Sequence, residues 1–134
     1  MAKFLLLMNY GATANCDVPM EQWAPEDVKA HIDFQHELGR ELTDNGELVD
    51  AQGLSGPELA KSVVSTGQGA PVVTDGPFPE SKELLAGYWL VDTTLDRALE
   101  IAAAASAAPG PGGAPLGQRI EVREVMGAPA ATDL

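Results

Sequence analysis

The possible folds of this chain are limited most by residues 73–88, VTDGPFPESKELLAGY, where one apolar stretch ends in a turn and a second begins. Asp75 can hydrogen-bond the backbone two residues on, Gly76 permits a positive φ, and Pro77 fixes φ while lacking an N–H. The pattern predicts two strands joined through an Asp-Gly-Pro turn.

Polar side chains gather just after this turn. Lys82, Glu83 and Tyr88 place an ammonium, a carboxylate and a phenol near Asp75 at the end of one strand pair. Such clusters at strand ends often line clefts. Two interpretations stay open: Asp75 is a site carboxylate or only the cap of its own turn. Likewise, Lys82 is a site cation or half of a solvated pair with Glu83.

Hydrophobic periodicity predicts the strands. Residues 3–9 hold an apolar run, which favours a strand covered on both faces, and residues 119–125 alternate as an antiparallel strand with one wet face does. The two β-rich runs on either side of residues 67–70, GQGA, are expected to pair as a hairpin. Strands are predicted at residues 3–9, 47–53, 61–66, 71–74, 87–93 and 119–125. In the strand 87–93, Tyr88 and Trp89 are expected to face opposite ways.

Two helices are predicted from signals at their ends. Pro25 suits the first turn of one helix, and Asn45-Gly46 suits its C-terminus. Thr94 is a good N-cap for the second helix, which is expected to end before Pro109. Residues 109–117, PGPGGAPLG, are rich in proline and glycine and predict a flexible connection to the last strand.

The two histidines lie on the first predicted helix. His31 falls within its apolar stripe and is therefore expected to point toward the core. His36 lies about 140° further around the helix, so the two side chains are poorly placed to share one metal ion. For His31, a hydrogen-bonded histidine at the helix–sheet boundary and a pocket residue both stay open. The stripe itself comprises Val28, Ile32, Leu38 and Leu42.

The order of these elements predicts an α+β fold. It is a βαββαβ plan with an inserted β-hairpin, in which both helices lie on one face of a four-stranded antiparallel sheet. Residues 1–126 are expected to form a single domain and residues 127–134 a flexible tail. A sheet covered on one face only favours burial of the other against a copy of itself, so a homodimer is expected.

Composition narrows the functional classes. The formal charge of −12 disfavours binding to nucleic acid and to anionic membranes. The single cysteine, Cys16, cannot form an intramolecular disulfide, and the chain lacks a secretory segment and an apolar run long enough to span a bilayer. A cytoplasmic protein is therefore expected. No metal-ligand spacing or dinucleotide fingerprint is present, so no metal and no cofactor are predicted.

The motif TDGPF, followed by PESKELLAGYWLVD, closely resembles the signature of the DGPF domain proteins, which form the YCII-related family of small bacterial proteins. The resemblance extends over roughly residues 3–126. It implies a dimeric α/β-barrel with a ferredoxin-like fold, similar to that of muconolactone isomerases and small cofactor-free monooxygenases, and a cleft between helices and sheet. Family members are proposed to carry a histidine–aspartate pair, of which Asp75 carries over to this chain.

Two functions stay open. In an enzyme, Asp75 and His31 on facing walls of one cleft would move protons on a small organic substrate, with Tyr88 or Lys82 steadying charge. In a non-catalytic sensor or regulatory module, the same cleft would bind a ligand; the resemblance implies association with an extracytoplasmic-function sigma factor as a protein partner. The substrate-binding candidates are Tyr88, Lys82, Phe78 and Tyr10.

Overall fold

The computed structural model describes residues 2–10, 16, 18–76 and 84–127, with only the backbone at Tyr10 and Leu84. Within these residues the predicted α+β class is confirmed. The strands and α-helices are β1 (Ala2–Tyr10), α1 (Pro25–Asp44), β2 (Leu48–Gly53), β3 (Lys61–Val64), β4 (Val72–Asp75), β5 (Leu84–Thr93), α2 (Leu95–Ser106) and β6 (Ile120–Glu124).

The main sheet is antiparallel and has the strand order β2-β5-β1-β6. Strands β3 and β4 pair separately in a two-stranded antiparallel sheet. When that small sheet is set aside, the chain follows a βαββαβ order, which is consistent with the ferredoxin-like expectation. The order brings the C-terminal ends of β1 and β2 beside the N-terminal end of β5.

Local chemistry sets the limits of both helices as predicted. Pro25 is the first residue of α1, and Gly46 follows its C-cap with φ 74°. The backbone N–H of Glu47 then donates to the Leu42 carbonyl over 2.8 Å, which closes a Schellman motif. At the start of α2, the Thr94 hydroxyl accepts a hydrogen bond from the Arg97 N–H over 3.2 Å.

The hydrophobic core lies between the sheet and the two helices. Alternate residues of the central strands β1 and β5 point into it, and the alanine-rich face of α2 allows that helix to pack close to the sheet. Ile32 is an exception to the predicted stripe of α1, because it is exposed and borders a cleft. The core residues on these elements are Phe4, Leu6, Leu38, Leu42, Trp89, Val91, Ala98, Ile101, Ala102 and Ala105.

The opposite surface of the main sheet, which we call the open face, carries Leu5 and Leu7 of β1 and Tyr88 and Leu90 of β5 at its centre. These residues pair across the strands as Leu5 with Leu90 and Leu7 with Tyr88. They stay partly exposed, because both helices pack on the other side. The alternation therefore separates Tyr88 from its neighbour Trp89, as predicted.

Residues 109–117 form a hydrogen-bonded loop, and the prediction of a flexible connection is wrong. The Gly110 N–H donates to the Ala114 carbonyl over 2.8 Å, and the Leu116 N–H donates to the Ala108 carbonyl over 3.0 Å. Leu116 is buried, so an apolar anchor holds the loop against the rest of the domain. The content of proline and glycine indicates that this segment forms neither a regular helix nor a strand, but it does not reveal that Leu116 anchors the loop.

A network of charged side chains ties the layers together at one end of the sheet. Glu47, just before β2, accepts hydrogen bonds from Thr93 Oγ1 over 2.9 Å and from Arg97 Nε over 3.1 Å. The bond from Arg97 is the main cause that lowers the pKa of the Glu47 carboxyl. Arg97 also lies 3.8 Å from Glu41 and 3.3 Å from Glu100. The network thus joins both helices to β2 and β5.

Candidate functional site

A cleft of about 1300 Å³ lies at the other end of the sheet. Its walls come from the C-terminal ends of β1 and β2, the first residues of β5 and the N-terminal half of α1, together with the segment that precedes α1 and the loop after α2. The sheet topology explains this site, since three strand ends meet there under one helix. Clefts between layers of secondary structure are common ligand sites.

His31 lies in the wall that α1 contributes to this cleft. Its side chain is 4% exposed, and Nδ1 lies 3.0 Å from the carbonyl oxygen of Pro109. A carbonyl oxygen only accepts hydrogen bonds, so Nδ1 carries the proton and donates it. In the neutral ring, Nε2 then holds the lone pair. Both open interpretations of His31 therefore apply, because it is hydrogen-bonded at the helix–sheet boundary and also lines a pocket.

Trp23 fixes His31 from a second side. The two rings meet edge to face, with centroids 5.6 Å apart and an interplanar angle of 83°. Trp23 Nε1 in turn donates to the Val18 carbonyl over 2.9 Å, which holds the segment before α1 in place. Sequence reasoning missed Trp23, although an apolar residue directly before a helix N-cap often packs back onto the helix and was a usable signal.

Trp89 also lines the cleft and lies on the helix-covered side of β5. Its side chain is 5% exposed, and Nε1 has neither solvent contact nor a hydrogen-bond partner among the described residues. A buried donor without a partner costs about 1–3 kcal/mol. No pattern in the sequence points to this isolated N–H, since its isolation depends on what packs above β5.

The cleft is chemically apolar with few charges. Methionine, valine, isoleucine, leucine and tryptophan side chains account for much of its wall, together with neutral amides such as Gln118, whose Nε2 donates to the Asn9 carbonyl over 3.1 Å. Glu21 is a carboxylate in the wall, while no lysine or arginine among the described residues lines it. The charge distribution thus disfavours anions.

Tyr88, a predicted substrate-binding residue, borders the cleft, but its hydroxyl is engaged elsewhere. It donates to Asp50 Oδ2 over 2.7 Å, and strand alternation places this bond on the open face. The hydrogen bond from Tyr88 lowers the pKa of Asp50, and the Asp50 carboxylate raises the pKa of Tyr88. The phenol is therefore turned away from His31.

Asp75, the predicted catalytic carboxylate, is the last residue of β4 and does not line the cleft. Its side chain is 85% exposed, and Oδ1 lies 2.5 Å from Nζ of Lys61, its cross-strand partner. Gly76 follows with φ 75°, as the turn chemistry predicts. The chain by itself does not bring Asp75 to His31, and a catalytic role for Asp75 stays a prediction.

The other predicted site residues have no described side chain. Phe78 and Lys82 lie outside the described residues, and Tyr10 ends β1 with only its backbone described. Their substrate-binding roles stay predictions. His36 is exposed on α1.

Neither a metal site nor a membrane span is found in the described part of the chain. No group of three or more histidine, cysteine, aspartate or glutamate side chains there is arranged to hold a metal ion. Neither α1 nor α2 has the length and apolar composition to cross a bilayer.

Comparison with known proteins identifies the family. The YCII-related domain matches residues 3–126. The chain belongs to the YCII-related family. The match spans all the described strands and helices of this YCII-related protein apart from one residue of β1, so the cleft lies within the family domain.

One curated relative of this YCII-related protein comes from Rhizobium meliloti (strain 1021) and is named "Uncharacterized protein R00369". The two sequences are 32% identical over 81 residues, which are 60% of this chain and 64% of the relative. The relative's name states no activity.

Proposed function

We propose that this protein binds a small, neutral, mostly apolar organic molecule in the cleft, and that His31 accepts a proton or a hydrogen bond from it through Nε2. The observation that carries the proposal is the 3.0 Å contact between His31 Nδ1 and the Pro109 carbonyl. This contact fixes the tautomer and orients the ring. A histidine held in this way is prepared to act as a base.

The surroundings of Nε2 support this role. Within the described residues, Nε2 has no hydrogen-bond partner, whereas Nδ1 is engaged and Trp23 packs against the ring. A ligand hydroxyl or an acidic C–H in the cleft would meet a ready acceptor. Proton transfer to a positioned group contributes about 10²–10⁴ in rate when the group is within hydrogen-bond reach.

The charge of the site supports a neutral ligand. The protein carries a formal charge of −12, and Glu21 adds a carboxylate to the cleft wall. An anionic ligand entering an apolar cleft needs a paired cation, because an unpaired buried charge is costly. Neutral phenols, ketones and lactones are therefore better candidates than carboxylic acids.

A thermal-shift screen with His31→Asn tests the proposal. The asparagine amide can still donate to Pro109 but lacks Nε2 and the ring contact with Trp23, so we expect the variant to fold, and we measure its ligand response against its own melting temperature without ligand. A neutral ligand at one hundred times its dissociation constant stabilises the wild type by about 2.7 kcal/mol, which for a domain of this size is roughly 10 °C in melting temperature. His31→Asn should lose most of this shift.

His36→Asn is the matched control, since His36 is an exposed histidine of the same helix. It should respond to ligand as the wild type does. Stabilisation by carboxylates but not by neutral compounds, or a full ligand shift in His31→Asn, would contradict the proposal.

We also infer that two copies pair through the open face of the sheet. Leu5, Leu7 and Leu90 form a partly exposed apolar centre. Polar side chains flank this centre on the edge strands, among them Asp50 on β2 and Arg123 on β6. An apolar centre with a polar rim is typical of protein interfaces, and the family resemblance implies a dimeric barrel.

Sedimentation equilibrium of Leu7→Lys tests the dimer. The wild type should sediment at twice the chain mass of 14.0 kDa, and the variant at 14.0 kDa, because a lysine at the centre of the interface is buried without a partner. Leu95→Lys, at an exposed leucine of α2, is the control and should remain dimeric. A monomeric wild type at micromolar concentration would rule the dimer out.

A protein-binding regulatory role is the second candidate. It is favoured by the β3–β4 sheet, in which Val63, Val64, Val72 and Val73 are all exposed. Exposed valines on both faces of a two-stranded sheet suit contact with another protein. A partner of the extracytoplasmic-function sigma factor class becomes the better proposal if the screen gives no ligand and His31→Asn behaves as the wild type.

A further inference from the structure

Trp89 lines the cleft described above, and its indole N–H is buried beside that cleft without solvent contact. The indole packs beneath α1, where a Cβ atom placed on Gly39 would lie 3.7 Å from Trp89 Cζ3. Helix and sheet therefore clamp the ring, and Nε1 finds no acceptor among the described residues. Native proteins leave few buried donors unsatisfied, so each one requires an explanation.

The other indole of the chain shows the usual solution. Trp23 Nε1 donates to the Val18 carbonyl over 2.9 Å although Trp23 is less buried than Trp89. Trp89 is the more buried of the two rings, yet its N–H lacks the kind of hydrogen bond that the Trp23 N–H makes. An acceptor supplied from outside the chain would remove the cost of the orphaned donor.

We propose that Trp89 Nε1 donates a hydrogen bond to an oxygen of the ligand, and that the ligand is a neutral hydroxy-carbonyl compound with an apolar body. This inference rests on the proposed function, because it assumes that a ligand occupies the cleft. An indole N–H only donates, and the lone pair of His31 Nε2 only accepts. The complementary ligand therefore offers a carbonyl oxygen to Trp89 and a hydroxyl proton to His31.

The absence of cationic side chains supports a carbonyl over a carboxylate. None of the described residues that line the cleft is a lysine or an arginine, and a single N–H is a weak counterpart for a full negative charge. A carbonyl oxygen needs only one donor to be satisfied. The apolar side chains of the wall then contact the rest of the molecule.

The indole N–H has no contact with solvent, so the proposal requires a neighbouring side chain to move, and we assign this movement to Met8. Met8 lies opposite Gly87 on the neighbouring strand, so it is the diagonal neighbour of Trp89 on the same side of the sheet, and it also lines the cleft. Its unbranched side chain adopts alternative rotamers at low cost. In this proposal, a ligand oxygen reaches Nε1 once Met8 has moved aside.

Matched pairs of probes test this inference on the full chain. 4-Hydroxyacetophenone carries a hydroxyl and a carbonyl, and 4-ethylphenol has the same carbon skeleton and hydroxyl without the carbonyl oxygen. 6-Hydroxy-2-acetylnaphthalene and 6-ethyl-2-naphthol form a larger pair. With two tryptophans, the ¹H–¹⁵N spectrum has two indole signals, which Trp89→Phe and Trp23→Phe assign. We expect the carbonyl probes to move the Trp89 signal downfield and to bind about tenfold more tightly than their partners.

Trp89→Phe should abolish the roughly tenfold preference within each pair, whatever its effect on the affinity that both members share. If Trp89→Phe does not fold, the movement of the Trp89 signal in the wild type is sufficient to test the proposed hydrogen bond. Equal binding of both members of a pair, with a stationary Trp89 signal, would overturn this inference and leave ligand binding by the cleft intact. Absence of binding by all four probes would overturn the inference together with the proposed function.

Discussion

Leu42→Ala is expected to lower the free energy of unfolding by about 2–5 kcal/mol. Leu42 is fully buried on α1, in the core cluster between helix and sheet. Truncation to alanine loses the free energy gained when the leucine side chain is removed from water. It also leaves a cavity that the surrounding helices and sheet fill only in part. For a domain of this size the melting temperature should fall by about 10 °C or more, measured by circular dichroism during heating.

Leu99→Ala is the matched control, because Leu99 is a helical leucine that is 50% exposed on α2. Its effect should stay within about 0.5 kcal/mol. Leu42 does not line the cleft, so the folded fraction of Leu42→Ala should bind ligand as the wild type does. A Leu42→Ala protein that melts within two or three degrees of the wild type would show that the packing between α1 and the sheet is wrong.

Gly87→Ala is expected to destabilise the protein by about 1–3 kcal/mol, as overpacking does. A Cβ at this position would lie 2.7 Å from the backbone oxygen of Gln52 and 3.3 Å from Gly53 Cα, as well as 3.2 Å from Met8 Cε. The methionine can move, but the backbone of β2 cannot shift without weakening its pairing with β5. Guanidinium unfolding at equilibrium measures the loss.

Gly53→Ala provides the control on the opposite strand. Gly53 pairs with Gly87 in the sheet, yet nothing lies within 4 Å of a Cβ placed there. We expect this variant to match the wild type or to be slightly more stable, since a strand glycine costs conformational entropy. If both alanines had the same effect, close approach of β2 to β5 would not be the reason that position 87 holds glycine.

Local signals in the sequence predicted the fold well. The C-terminal glycine of α1 and the Thr94 cap of α2 act through hydrogen bonds between residues three to five positions apart, so a short window of sequence contains the whole cause. Alternation along β5 likewise predicted that Tyr88 and Trp89 face opposite sides. In each case the deciding interaction is local.

The site was predicted less completely because its interactions join distant segments. His31 is held by Pro109, which lies 78 residues further along the chain, in a loop whose composition gave no sign of order. Asp75 was expected opposite His31, but the pairing of β3 with β4 places it beside Lys61. The positive φ of Gly76 was predicted correctly from local turn chemistry. The position of that turn relative to α1 depends on the whole fold.

The Arg97 network and the cleft occupy opposite ends of the same sheet. The residues that hold the helices to the strands are therefore separate from those that line the cleft. Glu47, Thr93 and Arg97 anchor helices to strands away from the ligand end. Side chains around the cleft can therefore change during evolution without loss of the ionic anchor. Members of one family can in this way diverge in the molecules they recognise while they retain a common architecture.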